Sequence, residues 1–163
     1  MSDLKTISDD IARKFEEKKS QLFIERDSLM EKQKKATEDY KAANTGDRSE
    51  NAPLEAAIND MREVNASIIK NETLIRRVSN VEDLSRYNSV GIVVLYATVR
   101  LECEGEEYIY RIYPSGISYV DIGVMSASSR LAVALMGKVV GDEVQIMHDG
   151  NGKLLTYKIK EIY

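Results

Sequence analysis

The spacing of apolar residues changes once along this chain, near residue 90. Before that point a column recurs every seven residues through Phe15, Leu22, Leu29, Ala36 and Ala43. A second segment follows a 4-3 spacing at Leu54, Ile58, Met61, Asn65, Ile68, Glu72 and Ile75, with polar residues at two of the seven places. Such spacing lays a single stripe along a helix, and Lys, Glu, Ala, Leu, Arg and Gln, which enter helices at little cost, dominate both segments. Neither stripe is buried by its own helix, and a short turn at 44–53 joins the two. The pattern therefore predicts an antiparallel coiled-coil hairpin over residues 1–80, with arms of ~25–40 residues, or roughly 40–60 Å. A generic coiled-coil spacer or a dimerisation zipper shares this pattern.

Beyond residue 90 the period shortens. "SVGIVVLYATVRLEC" and "EYIYRIY" read as strands, the first partly buried on both faces and the second alternating; "VGDEVQIM" and "LLTYKIKEIY" read as two more, joined by the turn "HDGNGK". A short helix is predicted over roughly 129–136, capped by Ser126 or Ser128, stopped at Gly137 and followed by Lys138 near its C-terminal dipole. The whole is an α+β chain: the hairpin, a linker at 81–87, and a small antiparallel sheet domain with one helix at 88–163.

Glycine usage supports the division. Residues 1–90 hold only Gly46 and Pro53, whereas residues 91–163 hold eight glycines and Pro114. Charge adds little, because neither half is basic: Lys and Arg number 15 against 16 acids in residues 1–80, and 8 against 11 afterwards. Nucleic-acid binding by bulk charge is therefore not indicated. No run reaches the ~18 apolar residues of a membrane span, and the N-terminal stretch lacks the pattern of a signal peptide, so a cytoplasmic protein with no membrane partner is expected. The single cysteine, Cys103, lies in an alternating apolar run and reads as a buried, inert thiol; the single histidine, His148, precedes a turn and reads as solvated.

The break between the helical segments carries the chemistry. It reads Asn44-Thr-Gly-Asp-Arg-Ser-Glu-Asn-Ala-Pro53 and contains two carboxylates, Asp47 and Glu50. Asp47-Arg48-Ser49-Glu50 has the spacing of a helix capping box, which would make both acids structural. Pro53 argues against a helix capped at Asp47, since its missing N–H would fall where a helical bond is due. A cap at Ser49 or Asn51 puts Pro53 in the first turn and leaves both acids accessible. Such a pair can ligate a hard cation such as magnesium or position and deprotonate a water. Two carboxylates alone make an incomplete metal site, so a partner must supply the remaining ligands.

"AANTGDRSENA" at 42–52 resembles the hairpin tip of the bacterial Gre-type transcript cleavage factors, which carry Gly-Asp-x-x-Glu-Asn. "SSRLAVALMGKVVGDEVQI" at 128–146 is similar to that family's Ala-x-Ala-Leu-(apolar)-Gly-Lys-x-x-Gly-Asp-x-Val signature, and a closing strand stands near "YKIKEIY". The resemblance covers nearly the whole chain in the family's order and implies an FKBP-like C-terminal domain that docks on RNA polymerase. It also implies insertion of the hairpin into the secondary channel of a bacterial-type RNA polymerase, acting as a monomer. There Asp47 and Glu50 would help hold a shared Mg2+ and its water against the nascent RNA 3′ end in backtracked complexes. Gly46, Arg48, Ser49 and Asn51 would support the tip. The chain would be an accessory factor rather than a free-standing nuclease.

Three positions depart from the family pattern: Pro53-Leu54 replace an acid and a tyrosine, Asp121 is the only charge in "SGISYVDIGVM" where an acidic loop is usual, and Ser129-Arg130 replace Ser-Pro. They keep a second reading open, a secondary-channel regulator that inhibits without cleavage. A coiled-coil adaptor is a third.

Overall fold

A computed structural model describes residues 3–44, 52–81, 91–114, 116–147 and 152–163. Two long helices, α1 (Leu4–Asn44) and α2 (Ala52–Ser79), precede five strands: β1 (Thr98–Cys103), β2 (Glu106–Tyr113), β3 (Val124–Ser126), β4 (Glu143–Met147) and β5 (Leu154–Ile162). A short helix, α3 (Arg130–Leu135), lies between β3 and β4. The chain forms two compact units, one of residues 18–79 and one that joins residues 1–17 to 80–163. The first turns of α1 thus belong with the sheet.

In the unit of residues 18–79 the helices pair antiparallel. Gln33 Nε2 donates to Asn65 Oδ1 at 2.8 Å and Asn71 Nδ2 donates to the Leu22 carbonyl at 3.2 Å, so residues climbing α1 meet residues descending α2. Leu22, Leu29 and Ala36 are buried at the expected seven-residue interval and Ala43 is half-buried. The stripe on α2 differs in one column. Leu54, Met61, Ile68 and Ile75 face inward as the spacing predicts, but their companions are Ala57, Val64, Asn71 and Val78, one residue before the expected Ile58, Asn65 and Glu72. Glu72 is exposed, as its charge requires, and Asn71 is buried in its place.

The sheet unit has strand order β3-β2-β1-β5-β4. β1, β2, β4 and β5 pair antiparallel as expected, and β3, too short to be read from its sequence, adds in parallel to β2. The β1–β2 hairpin turns at Glu104 and Gly105, both at positive φ, which the primed two-residue turn of a twisted hairpin demands. One face forms the core: Val99, Leu101, Ile112, Val144 and Ile159 pack with Ala132 and Leu135 of α3. The register slips between Arg100 and Leu101 opposite β5, a bulge that lets Ile159 and Ile162, three residues apart, both pack on that core.

The other face is divided. Part of it carries a lattice of ion pairs, Arg100 with Glu107 and Glu161 and Lys160 with Glu102. The rest is covered by the start of α1. There Thr98 donates to Ser8 Oγ at 2.8 Å, and the buried Arg111 guanidinium donates to the Tyr96 carbonyl at 3.1 Å and to Ser8 Oγ at 3.1 Å. The Phe15 ring packs 4.4 Å from that of Tyr113. Ile11 lies so close to Gly123 that a Cβ there would come within 2.9 Å of Ile11 Cδ1. Phe15, first residue of the predicted coiled-coil column, is therefore a core residue of the sheet unit.

Candidate functional site

α1 ends at Asn44 and α2 begins at Ala52. Asp47 and Glu50, with Gly46, Arg48, Ser49 and Asn51, lie between those ends in sequence and outside the described residues. The start of α2 puts Pro53 at its second residue, within the first turn, where a proline N–H has no helical acceptor to miss. Lys41 in the last turn of α1 and Glu55 in the first turn of α2 each have the sign that favours its helix end.

Further along the hairpin a charged groove of about 240 Å³ is lined by Lys32, Lys35, Asp39, Asp60 and Glu63 over Ala36 and Val64. Both lysines and one of its three acids come from α1, and the other two acids come from α2. Among the described residues no cluster of three or more His, Cys, Asp or Glu side chains could hold a metal ion. The two carboxylates expected from the sequence to meet a metal, Asp47 and Glu50, lie outside the described residues. Their hard oxygens suit magnesium, but two donors fill only part of its octahedral shell.

Among its described residues the sheet unit offers no comparable chemistry. Cys103 is buried, and burial pushes its thiol pKa up, away from the reactive thiolate. His148 lies outside the described residues. The segment 128–146 turns out to hold structural positions. Ser129, rather than Ser126 or Ser128, caps α3 by accepting from the Ala132 N–H at 3.2 Å. Ser126 is occupied otherwise, accepting from the Gly116 N–H and bonding Ser128 Oγ. Gly137 follows α3 at positive φ, and its N–H donates to the Val93 carbonyl at 2.8 Å. Asp142 Oδ2 accepts from the Val139 N–H at 3.0 Å, closing the turn at Gly141 that starts β4. Glycine and aspartate recur in this motif because the turns require them.

The family described as "Transcription elongation factor, GreA/GreB, C-term" matches residues 88–163. Among curated relatives, the transcription elongation factor GreA of Mycoplasma capricolum is 38% identical over 107 residues, 64% of this chain and 68% of that protein. GreA of Macrococcus caseolyticus is 36% identical over 74% of this chain and 75% of its own length. The chain belongs to the GreA/GreB family. GreA of Bacillus subtilis, 32% identical over 79% of this chain and 82% of its length, agrees. Among solved structures, the GreA factor homolog 1 of Thermus thermophilus aligns over 89% of this chain and 94% of its own at 20% identity with a TM-score of 0.39, too low to add to the argument. Among the described residues no helix is long and apolar enough to cross a membrane.

Two sets of residues escaped the sequence pattern. Ser8, Thr98 and Arg111, which tie the start of α1 to the sheet, carry no periodic signal because they pair across about a hundred residues. Asn71 was visible only as a polar residue one place before the expected column.

Proposed function

We propose that this GreA/GreB-family chain is an accessory factor of a bacterial-type RNA polymerase. It inserts its hairpin into the secondary channel and presents Asp47 and Glu50 at the polymerase active centre, where backtracked nascent RNA is cleaved. The observation that carries the reading is the placement of both carboxylates, in sequence, between the ends of two antiparallel helices in a chain of this family. Magnesium held jointly by these acids and the polymerase would lower the pKa of a bound water, so that the hydroxide left on its deprotonation can attack the phosphodiester. Asp47 and Glu50 would contribute negative charge for binding and an acceptor that orients the attacking water and receives its proton. Gly46, Ser49 and Asn51 would shape the turn, and Arg48 would sit beside the acids. Cleavage releases the RNA 3′ segment and leaves a new end for elongation. The chemistry needs the polymerase's ligands, so the isolated chain has no nuclease activity.

Pro53 and Leu54 favour a second reading, a channel-occupying inhibitor. Leu54 is half-buried in the hairpin seam, so the position where the family places a tyrosine serves packing here. The deciding experiment adds the chain and magnesium to a stalled, backtracked elongation complex and follows RNA length. Shortening that Asp47→Asn and Glu50→Gln each abolish supports cleavage. Unchanged RNA with arrested elongation supports inhibition.

A further inference from the structure

We propose that Asn71, assisted by the Gln33–Asn65 pair, is a positioning residue that fixes the register of α1 against α2, and with it the place where the hairpin presents Asp47 and Glu50. The apolar stripes do not fix register alone. Heptad seams look alike after a shift of seven residues, ~10 Å along the axis. Something non-repeating must choose among the shifted pairings.

Asn71 is the buried polar residue of this seam, 3% exposed between Ile68 and Ile75. Its Nδ2 donates to the Leu22 carbonyl at 3.2 Å and to Glu25 Oε2 at 3.3 Å, while its Oδ1 finds no partner among the described residues. A half-satisfied buried amide holds helices together less well than an apolar side chain of similar size. Its presence is accounted for by specificity, the role a lone polar residue plays in coiled-coil seams.

The sequence penalises both neighbouring registers. A shift of seven in one direction replaces Glu25 opposite Asn71 with Lys32 and sets Glu72 opposite Gln33; the other brings Lys18 and Ile58 to those places. In either case the Asn71 N–H loses the Glu25 carboxylate as acceptor and the Gln33–Asn65 pair is broken. The observed pairs, Gln33 with Asn65 and Leu22 with Asn71, are centred in sequence between residues 46 and 49. A shift of seven moves that centre by half a heptad along the sequence. The register claim stands on the seam alone; its consequence for cleavage rests on the proposed function.

The test uses the full-length chain in a Cys103→Ser background, with nitroxide labels on Lys35→Cys and Asp60→Cys, exposed residues of opposite helices on the same groove. Pulsed electron resonance should give one narrow distance with Asn71 present. Asn71→Leu and Asn71→Ala should keep the circular-dichroism helix signal and add a second population displaced by up to ~10 Å. A single unchanged distance in both variants overturns the proposal. So does loss of helicity in Asn71→Leu, since that would show a residue kept for strength. With backtracked polymerase, the Asn71→Leu cleavage rate should fall by the shifted fraction, with unchanged competition for the enzyme. If the wild-type chain stimulates no cleavage, the proposed function fails while the distance result still decides the register.

Discussion

The sheet unit and the helical hairpin bury their apolar residues to different depths. Val99, Leu101, Ile112 and Leu135 in the sheet unit have no exposed surface, whereas Leu22, Leu29, Ala36 and Ile68 of the hairpin keep 7–9%. A sheet with α3 on one face and part of α1 on the other closes around its core. Two helices meet along a single seam, where most residues border water and Val78, 1% exposed, does not. Several hairpin contacts are accordingly polar, Gln33 with Asn65 and Asn71 with Glu25. The lesson is a division of labour: one unit gets its stability from packing, while the one bearing the candidate acids has a thin core and depends on matched positions for its geometry.

The largest effect should come where α1 enters the sheet unit. Phe15 is fully buried against Tyr113, so Phe15→Ala should lower stability by about 3–5 kcal/mol in chemical denaturation, followed by near-ultraviolet dichroism of the sheet tyrosines. A loss confined to the far-ultraviolet helix signal would assign Phe15 to the hairpin instead. In the hairpin, Leu29→Ala should cost less, about 2–3 kcal/mol, because a seam open to water collapses more readily around a deletion. An equal or larger cost than at Leu101→Ala would contradict the difference in depth.

Gly123→Ala should cost about 1–2 kcal/mol. Its φ of +80° disfavours a side chain, and the new Cβ would meet Ile11 at 2.9 Å and the Ile109 carbonyl at 3.2 Å. Pairing it with Ile11→Ala relieves the first clash only, so the combined loss should be less than additive in a double-mutant cycle.

The smallest effect concerns Tyr113, whose hydroxyl is buried with no hydrogen-bond partner among the described residues. Tyr113→Phe should be neutral or stabilising by up to about 1 kcal/mol. Burial pushes the Tyr113 pKa up, so the folded state favours the neutral phenol. That contribution is fully present below the unfolded value near ~10 and is lost as pH rises toward the folded value. Melting temperatures measured from about pH 9 to 11 should fall more steeply for the wild-type chain than for Tyr113→Phe.

Much of this was legible in the residues. Seven-residue spacing gave α1 its buried column, and the single Gly46 and Pro53 marked the break between helices. Alternation gave β2, an apolar run gave β1, and two runs joined by a Gly-rich turn gave β4 and β5. What stayed hidden depends on contacts distant in sequence. β3 is three residues long and exists because β2 offers it an edge. The column Ala57, Val64, Asn71 and Val78 competes with a column one residue later in which Ile58 is as apolar as Ala57, and only the facing helix decides between them. Ser129 caps α3 rather than its neighbours because Ser126 and Ser128 are engaged with each other. Asp47 and Glu50 were read as chemistry from their place at a helical break, and they lie outside the described residues.

The account turns on Asp47 and Glu50 acting outside the fold that carries them. The most direct measurement compares the wild-type chain with Asp47→Asn and Glu50→Gln on a backtracked elongation complex in magnesium, following RNA cleavage and competition for polymerase in the same samples. Wild-type cleavage that both variants abolish is expected, with unchanged competition and unchanged melting temperature. Near-wild-type cleavage in both variants would contradict it.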